Sequence, residues 1–335
     1  MRIFFSLLTI SLFACTQSTT DVKENPIGIV IHGGAGTILK ENMSPEMEIA
    51  YRESLAEAIR VGHTILEAGG TSQEAVEKTI HVMENSPLFN AGKGAVLTAE
   101  GYASLDASFM DGKTLDAGAV AGLKHIKHPI SAAIAVMNQS PHVMLAGTGA
   151  DRFALDIGLD SVPNSYFITE RRKKALERVQ SRTNETASFY DPIIKDSKFG
   201  TVGCVALDKN GNIASGTSTG GMTNKKWDRI GDAPIIGAGT YANNASCGVS
   251  ATGWGEFFIR SVVAYDIAAM VEYKKMSVTE AAKKSLQKVA DLGGDGGVIV
   301  LDNKGNVAME FNTAGMYRAH MNNQGDLEVK IYAGE

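Results

Sequence analysis

Gly200 and Thr201 stand at the head of an apolar, strand-like run that continues Val202-Gly203-Cys204-Val205-Ala206-Leu207 to Asp208. If the backbone is cut between them, Thr201 becomes a chain start carrying a hydroxyl and a free α-amine on one residue. An α-amine titrates at roughly 7.7 to 8.0 in model peptides, so part of it is unprotonated near neutrality and can take the hydroxyl proton. That is a nucleophile with its own base. A glycine on the acyl side leaves the carbonyl open and tolerates unusual backbone angles. A second pattern competes for the same chemistry. Gly216-Thr217-Ser218-Thr219-Gly220 fits G-x-S-x-G, His32-Gly33-Gly34 fits an oxyanion loop, and Asp302 and His320 follow in the chain order of a hydrolase triad. A nucleophile elbow needs a helix directly after its serine, however, and the stretch from Met222 to Arg229 is polar and aperiodic. Ser218 therefore ranks below Thr201.

The elements that must hold these residues can be read from caps and periodicity. Ile27 to Ile31 predicts a strand running into His32-Gly33-Gly34-Ala35-Gly36, and Ser44-Pro45 opens a helix that lasts to Gly69-Gly70. Thr71 and Glu74 form a capping-box pair for a helix through Met83, and Asp111-Gly112 predicts the turn of a hairpin. Further helices are expected at 129–139, at 148–157, across Gly255 to Tyr273, and from the Ser277/Glu280 box to Gly293-Gly294. The charged stretch from Glu170 to Ser197 reads as a frayed helix and then a disordered linker, about 180–200, ending at the Gly200-Thr201 bond. Two copies of a strand, Gly-Asn turn, strand unit, Gly203 to Ala214 and Gly297 to Ala308, align without a gap and predict paired hairpins. Strand pairs and helices in separate blocks point to an α+β fold of mixed, mainly antiparallel sheets covered by helices.

Composition narrows the partners. A chain of 335 residues, 44% hydrophobic and 21% charged, can bury a large core. Its net charge of -5 offers no basic face for phosphate backbones, which argues against nucleic acid. Residues 1–15 read as an export signal: Arg2, a short apolar run, then Leu12-Phe13-Ala14-Cys15, which resembles a lipobox with Cys15 as the lipidated residue. A plain secretory cut is the alternative. Residues 16–25 would be a tether, the protein would be exported to the periplasm, and the lipid anchor would be its contact with membrane. Cys204 and Cys247 are expected as buried free thiols, and His125 with His128 as part of a solvated face without a third metal ligand.

A family resemblance rests on strings in a shared order. His32-Gly33-Gly34-Ala35-Gly36, Phe89-Asn90-Ala91-Gly92-Lys93-Gly94, Asp106-Ala107 and Met110-Asp111-Gly112 precede the junction. After it come Gly200 to Gly203, Thr217 to Met222, Arg229 to Pro234, Gly237-Ala238-Gly239, Tyr241 to Asn244, Ala251-Thr252-Gly253 and Gly255-Glu256. Together they resemble the isoaspartyl peptidase/plant-type asparaginase family of N-terminal nucleophile hydrolases over nearly everything after the signal.

The resemblance implies a four-layer αββα sandwich and self-cleavage before Thr201, giving an α chain of 26–200 and a β chain of 201–335. It implies that Thr201 attacks β-aspartyl amides of isoaspartyl dipeptides or L-asparagine, that Thr219 bonds to the Thr201 hydroxyl or amine, and that Thr252 and Gly253 form the oxyanion hole. Arg229 would hold the substrate α-carboxylate and Asp232 its α-ammonium; Gly255 would offer backbone contact, and Asn90 would help to position the nucleophile. No cofactor is implied for the chemistry, although backbone carbonyls of the loop from Met83 to Lys93 could hold a sodium ion. A homodimer of αβ units is also implied. The chain departs from the family wording at Lys226-Trp227-Asp228, where a Pro-Gly pair is frequent, and at Trp254, whose indole could narrow the pocket or stack on a leaving group. Glycosylasparagine is the alternative substrate, and a non-catalytic envelope lipoprotein the alternative of another class.

Overall fold

The computed structural model describes residues 25–183 and 200–335. The expected signal with Cys15, most of the expected tether, and residues 184–199 of the expected linker lie outside the described residues.

Two sheets form the centre. The first has eight strands in the order β12-β11-β1-β5-β6-β2-β3-β4: β1 (Gly28–Gly36), β2 (Leu105–Asp111), β3 (Ala117–Leu123), β4 (Met144–Ala146), β5 (Val202–Leu207), β6 (Ile213–Thr219), β11 (Gly315–Met321) and β12 (Leu327–Tyr332). The second has four in the order β10-β9-β8-β7: β7 (Thr240–Ala242), β8 (Cys247–Gly253), β9 (Gly296–Asp302) and β10 (Val307–Phe311). All pairings are antiparallel except β3 with β4. Val30, Val205, Leu207, Ile213, Ile299 and Leu301 fill the space between the sheets. Helices α1 (Pro45–Glu67), α2 (Ser72–Asn85) and α3 (Pro129–Gln139) cover the outer face of the large sheet, with α4 (Gly147–Asp156) and α5 (Glu170–Thr183) beside them. Helices α6 (Gly255–Ser261), α7 (Val263–Lys274) and α8 (Val278–Asp291) cover the small one. The result is the αββα sandwich that the resemblance implies.

Local signals act where expected. Ser44 and Thr71 cap α1 and α2 through their hydroxyls, and both halves of the Ser277/Glu280 box are present in α8. The two repeat copies form β5–β6 and β9–β10, one hairpin in each sheet. Asp208 and Asp302, equivalent in the repeat, do the same work: each accepts turn N–H groups with Oδ1, from Asn210 and Asn212 and from Lys304 and Asn306. Asp302 is thus a turn cap and no triad member.

One expectation needs correction, and another holds with a longer turn. The single helix over Gly255–Tyr273 is broken at Val262, which takes φ 48°. Just after the break the N–H groups of Ala264 and Tyr265 bond to the carbonyls of Ala238 and Gly237, so a loop satisfies helix-start donors that a continuous helix would satisfy itself. The β2–β3 hairpin does not turn on Asp111-Gly112 alone. Asp111 Oδ1 takes the N–H groups of Lys113 and Thr114, Leu115 has φ 65°, and the Gly112 N–H leaves the turn for the Ile213 carbonyl.

The antiparallel register of β5 and β6 sets Val202 opposite Ser218, so the start of one strand and the end of the other share one end of the sandwich. The Gly-rich end of β1 and Thr252-Gly253 at the end of β8 reach the same place, as the Ala35 N–H lies 3.4 Å from Thr252 Oγ1.

Candidate active site

Along β6 the side chains alternate between the two faces. Thr217 points to the second sheet, with Oγ1 2.6 Å from Ser250 Oγ, and Ser218 points the other way, where it donates to Glu84 Oε1 of α2 at 2.6 Å. Thr219 falls on the Thr217 face. Its Oγ1 accepts a hydrogen bond from Thr201 Oγ1 at 3.1 Å and another from the Gly221 N–H at 2.9 Å. Ser218 is therefore buried against a helix, and the rival triad is not assembled: Asp302 caps its turn, and His320 sits on β11 in register with Val30 and Glu328.

Gly200 takes φ +98°, a region that favours glycine, and any side chain at Gly34 would collide with its Cα. The junction is thus pressed between β1 and Asn90, whose Cβ would lie 3.1 Å from a Cβ built on Gly200. Buried Asn90 donates from Nδ2 to the Gly221 carbonyl at 2.7 Å and accepts from the Val96 N–H at 2.8 Å. It reaches Thr201 at two removes, through Gly221 and then Thr219.

His32, at the glycine-rich end of β1, touches the backbone of Thr201. Its Nδ1 lies 3.0 Å from the Thr201 carbonyl oxygen and its Nε2 2.9 Å from Ser250 Oγ. Burial pushes its pKa down to about 3, so the ring is neutral. A carbonyl only accepts, which assigns the proton to Nδ1 and makes Nε2 the acceptor of the Ser250 hydroxyl. Ser250 then accepts from Thr217 at 2.6 Å, and Thr217 from Thr240 at 2.6 Å. This one-directional chain of hydroxyls locks the tautomer and the peptide of Thr201. Its only sequence signal is a histidine at a strand end facing a run of Ser and Thr.

Arg229 and Asp232 meet beside Thr201. Thr201, Thr219, Arg229, Asp232 and Gly253 border a cavity of about 20 Å³, room for about one water. Burial works against the Arg229 charge, but a two-pronged pair with Glu256 (Nε to Oε1 2.8 Å, Nη2 to Oε2 2.7 Å) and the nearby Asp232 hold its pKa above the ordinary value. Glu256 was visible only as part of a motif; its clamp on Arg229 needs the fold. Burial pushes the Asp232 carboxyl up to about 7 against the pull of Arg229, and its Oδ2 has no hydrogen-bond partner among the described residues. A Cβ on Gly255 would press on Asp232 and on Arg229 Nη2, so only glycine leaves this corner open. The arrangement sets a hydroxyl, a guanidinium and a carboxyl group around one small cavity.

Trp254 does not narrow this site. Its indole is 4% exposed, packs edge-on against Phe257 at 4.9 Å, and belongs to the core of the small sheet. The other departure, Trp227, is 86% exposed with φ 55° in the loop before Arg229. His128 stacks on His81 at 4.0 Å, away from the junction, and Cys204 and Cys247 are buried thiols whose pKa burial pushes up.

Comparison with known proteins gives a consistent picture. A family model described as Asparaginase matches residues 24–331. The chain is 49% identical over 296 residues to the isoaspartyl peptidase of Escherichia coli (strain K12), covering 87% of this chain and 91% of that protein. It is 49% identical over 298 residues to the isoaspartyl peptidase of Salmonella typhimurium, covering 88% and 95%. It is 42% identical over 322 residues to the isoaspartyl peptidase/L-asparaginase of Rattus norvegicus, covering 96% and 92%.

The Ser218–Glu84 pair yields a test of the core. Burial pushes the Glu84 carboxyl up to about 8 from an ordinary 4.5, so the folded state binds the extra proton between those values. Its contribution is fully present below the unfolded value and is lost as pH rises through the folded one. Between pH 5 and pH 8 the wild type should therefore lose more urea resistance than Glu84→Gln, which is neutral throughout. Equal losses in the two unfolding midpoints would contradict a protonated Glu84.

Proposed function

This chain belongs to the asparaginase family, and from that premise we propose that it is a self-cleaving threonine amidohydrolase acting on β-aspartyl amide bonds, in isoaspartyl dipeptides and L-asparagine. The observation that carries the proposal is the Thr201–Thr219 hydroxyl pair sharing one cavity with Arg229 and Asp232. In the continuous chain the Thr201 nitrogen is a peptide nitrogen. Thr201 Oγ attacks the Gly200 carbonyl carbon, the C–N bond breaks as the ester forms and the hydroxyl proton ends on the departing nitrogen, and water hydrolyses the ester. That leaves a carboxylate on Gly200 and the free amine of Thr201.

In the processed protein the same hydroxyl gives its proton to that amine and attacks the β-carbonyl of the substrate. Thr219 steadies the hydroxyl, and Thr252 and Gly253 face the developing oxyanion. Arg229, oriented by Glu256, takes the α-carboxylate, Asp232 takes the α-ammonium, and Gly255 leaves room for both. The amine of Thr201 passes its proton to the leaving amine, and water releases aspartate from the aspartyl ester.

The remaining proposals rest on the sequence. Export with lipidation at Cys15 follows from the leader, and a homodimer of αβ units from the family. A sodium ion at the carbonyls of the Met83–Lys93 loop follows from the family as well; the loop is closed by the Lys93 N–H on the Glu84 carbonyl at 2.7 Å, and Gly92 packs there with no room for a side chain. Such an ion would brace the loop that carries Asn90.

Purified protein should run as two chains on a denaturing gel, the smaller one beginning Thr-Val-Gly-Cys by Edman sequencing, while Thr201→Ala stays whole and inactive. A wild type that remains one chain after long incubation would rule out self-processing. Acidity supplies a second test. Asp232, held near 7, must be ionised to take an ammonium, and the Thr201 amine must be unprotonated to act as base. In the acid limb, log kcat/KM of the wild type should therefore approach a slope of two, and in Asp232→Asn a slope of one. Superimposable acid limbs would remove Asp232 from substrate binding.

A further inference from the structure

The Gly200–Thr201 junction has a cavity on each side. Thr201 borders the small one with Arg229; Gly200, Gly33 and Asn90 border a second of about 600 Å³. An amide substrate divides at the same point. With Arg229 and Asp232 claiming its aspartyl half, the space next to Gly200 is the cavity left for the other half. We infer that the large cavity is the subsite for the leaving half, and that Arg172 reads a carboxylate on it; this rests on the β-aspartyl amide reading.

Arg172 has the credentials of an anion site. It is half-buried on α5, and its Nε is tied to the Gly94 carbonyl at 2.6 Å, while neither Nη has a hydrogen-bond partner among the described residues. Burial, with Arg171 next to it, pushes its pKa down to about 10, which leaves it charged at neutral pH. The other two arginines of the wall are placed differently. Arg171 spends its fork on the Tyr51 hydroxyl at 2.8 Å and the Leu88 carbonyl at 2.5 Å, and Arg178 is exposed to water. No described residue lining the cavity is acidic. A half-buried guanidinium with both outer nitrogens unspent, in a cavity without carboxylates, suits a planar two-oxygen anion. The rest of the lining includes apolar surface: Leu39, Met43 and Leu88, with Tyr51, which stacks on Tyr317 at 4.1 Å. The ligand class is therefore an α-amino acid leaving group with a free carboxylate and an apolar side chain. Ammonia, the leaving group of asparagine, reaches neither wall. One other carboxylate could compete for Arg172, the one that self-cleavage leaves on Gly200.

The test compares β-Asp-Leu, β-Asp-leucinamide and L-asparagine on processed wild type and on Arg172→Gln. The two peptides differ only in the carboxylate. Wild type should favour the acid by about 10- to 100-fold in kcat/KM, the range of a charged hydrogen-bonded contact. In Arg172→Gln that ratio should collapse to near one whatever happens to the overall rate, and a merely structural role for Arg172 would leave it unchanged and overturn the assignment. Equal wild-type rates for acid and amide, with asparagine still cleaved, would mean that Gly200's own carboxylate holds Arg172, and would also overturn it. A processed wild type that cleaves none of the three would instead defeat the β-aspartyl reading on which the subsite depends.

Discussion

The register between β5 and β6 is the constraint on which the site depends. With Val202 opposite Ser218, Thr201 comes within 3.1 Å of the Thr219 hydroxyl. A slip of one residue would carry Ser218 into that position and turn Thr219 toward α2. The register is held from both faces: Val205, Leu207 and Ile213 are locked between the sheets, and Ser218 is bonded to buried Glu84 under the helices. The serine that imitates a nucleophile in the sequence thus helps to keep the threonine beside it in place.

Around this pair the charges are sorted by burial and by partners. His32 is neutral because it is buried, and a neutral ring can hold the Thr201 carbonyl without competing for the Thr201 hydroxyl proton. Arg229 keeps its charge because Glu256 grips two of its nitrogens, which also aims the remaining face of the guanidinium at the cavity. Asp232 carries the cost of burial as a raised pKa that a ligand cation would relieve. The hydroxyl chain from Thr240 through Thr217 and Ser250 to His32 links the two sheets at the site. Its serines and threonines can satisfy one another where neither water nor charge is needed.

What could be read from the sequence was local. The caps at Ser44, Thr71 and Ser277, the repeated hairpin with its turn aspartates, and the Gly-Thr step each carry a signal within a few residues. The αββα layering and the residues gathered at the junction became legible only when many short strings were taken in order. What escaped depends on distant partners. The break at Val262 answers to carbonyls of Gly237 and Ala238, the neutral tautomer of His32 to a serine more than two hundred residues away, and the grip of Glu256 to an arginine on another loop. Trp254 misled for the same reason: a residue between two site glycines points into the core when alternate positions face opposite ways.

The central claim is that Thr201, as the first residue of a cut chain, carries the acyl group during turnover. Rapid acid quenching of the processed protein in the presence of excess β-aspartyl dipeptide, followed by peptide mapping in a mass spectrometer, tests it most directly. The account predicts one added aspartyl group on the peptide that begins at Thr201 and none on the same peptide without substrate. An aspartyl group found on the Ser218 side chain, or turnover with no adduct at Thr201 at any quench time, would contradict it.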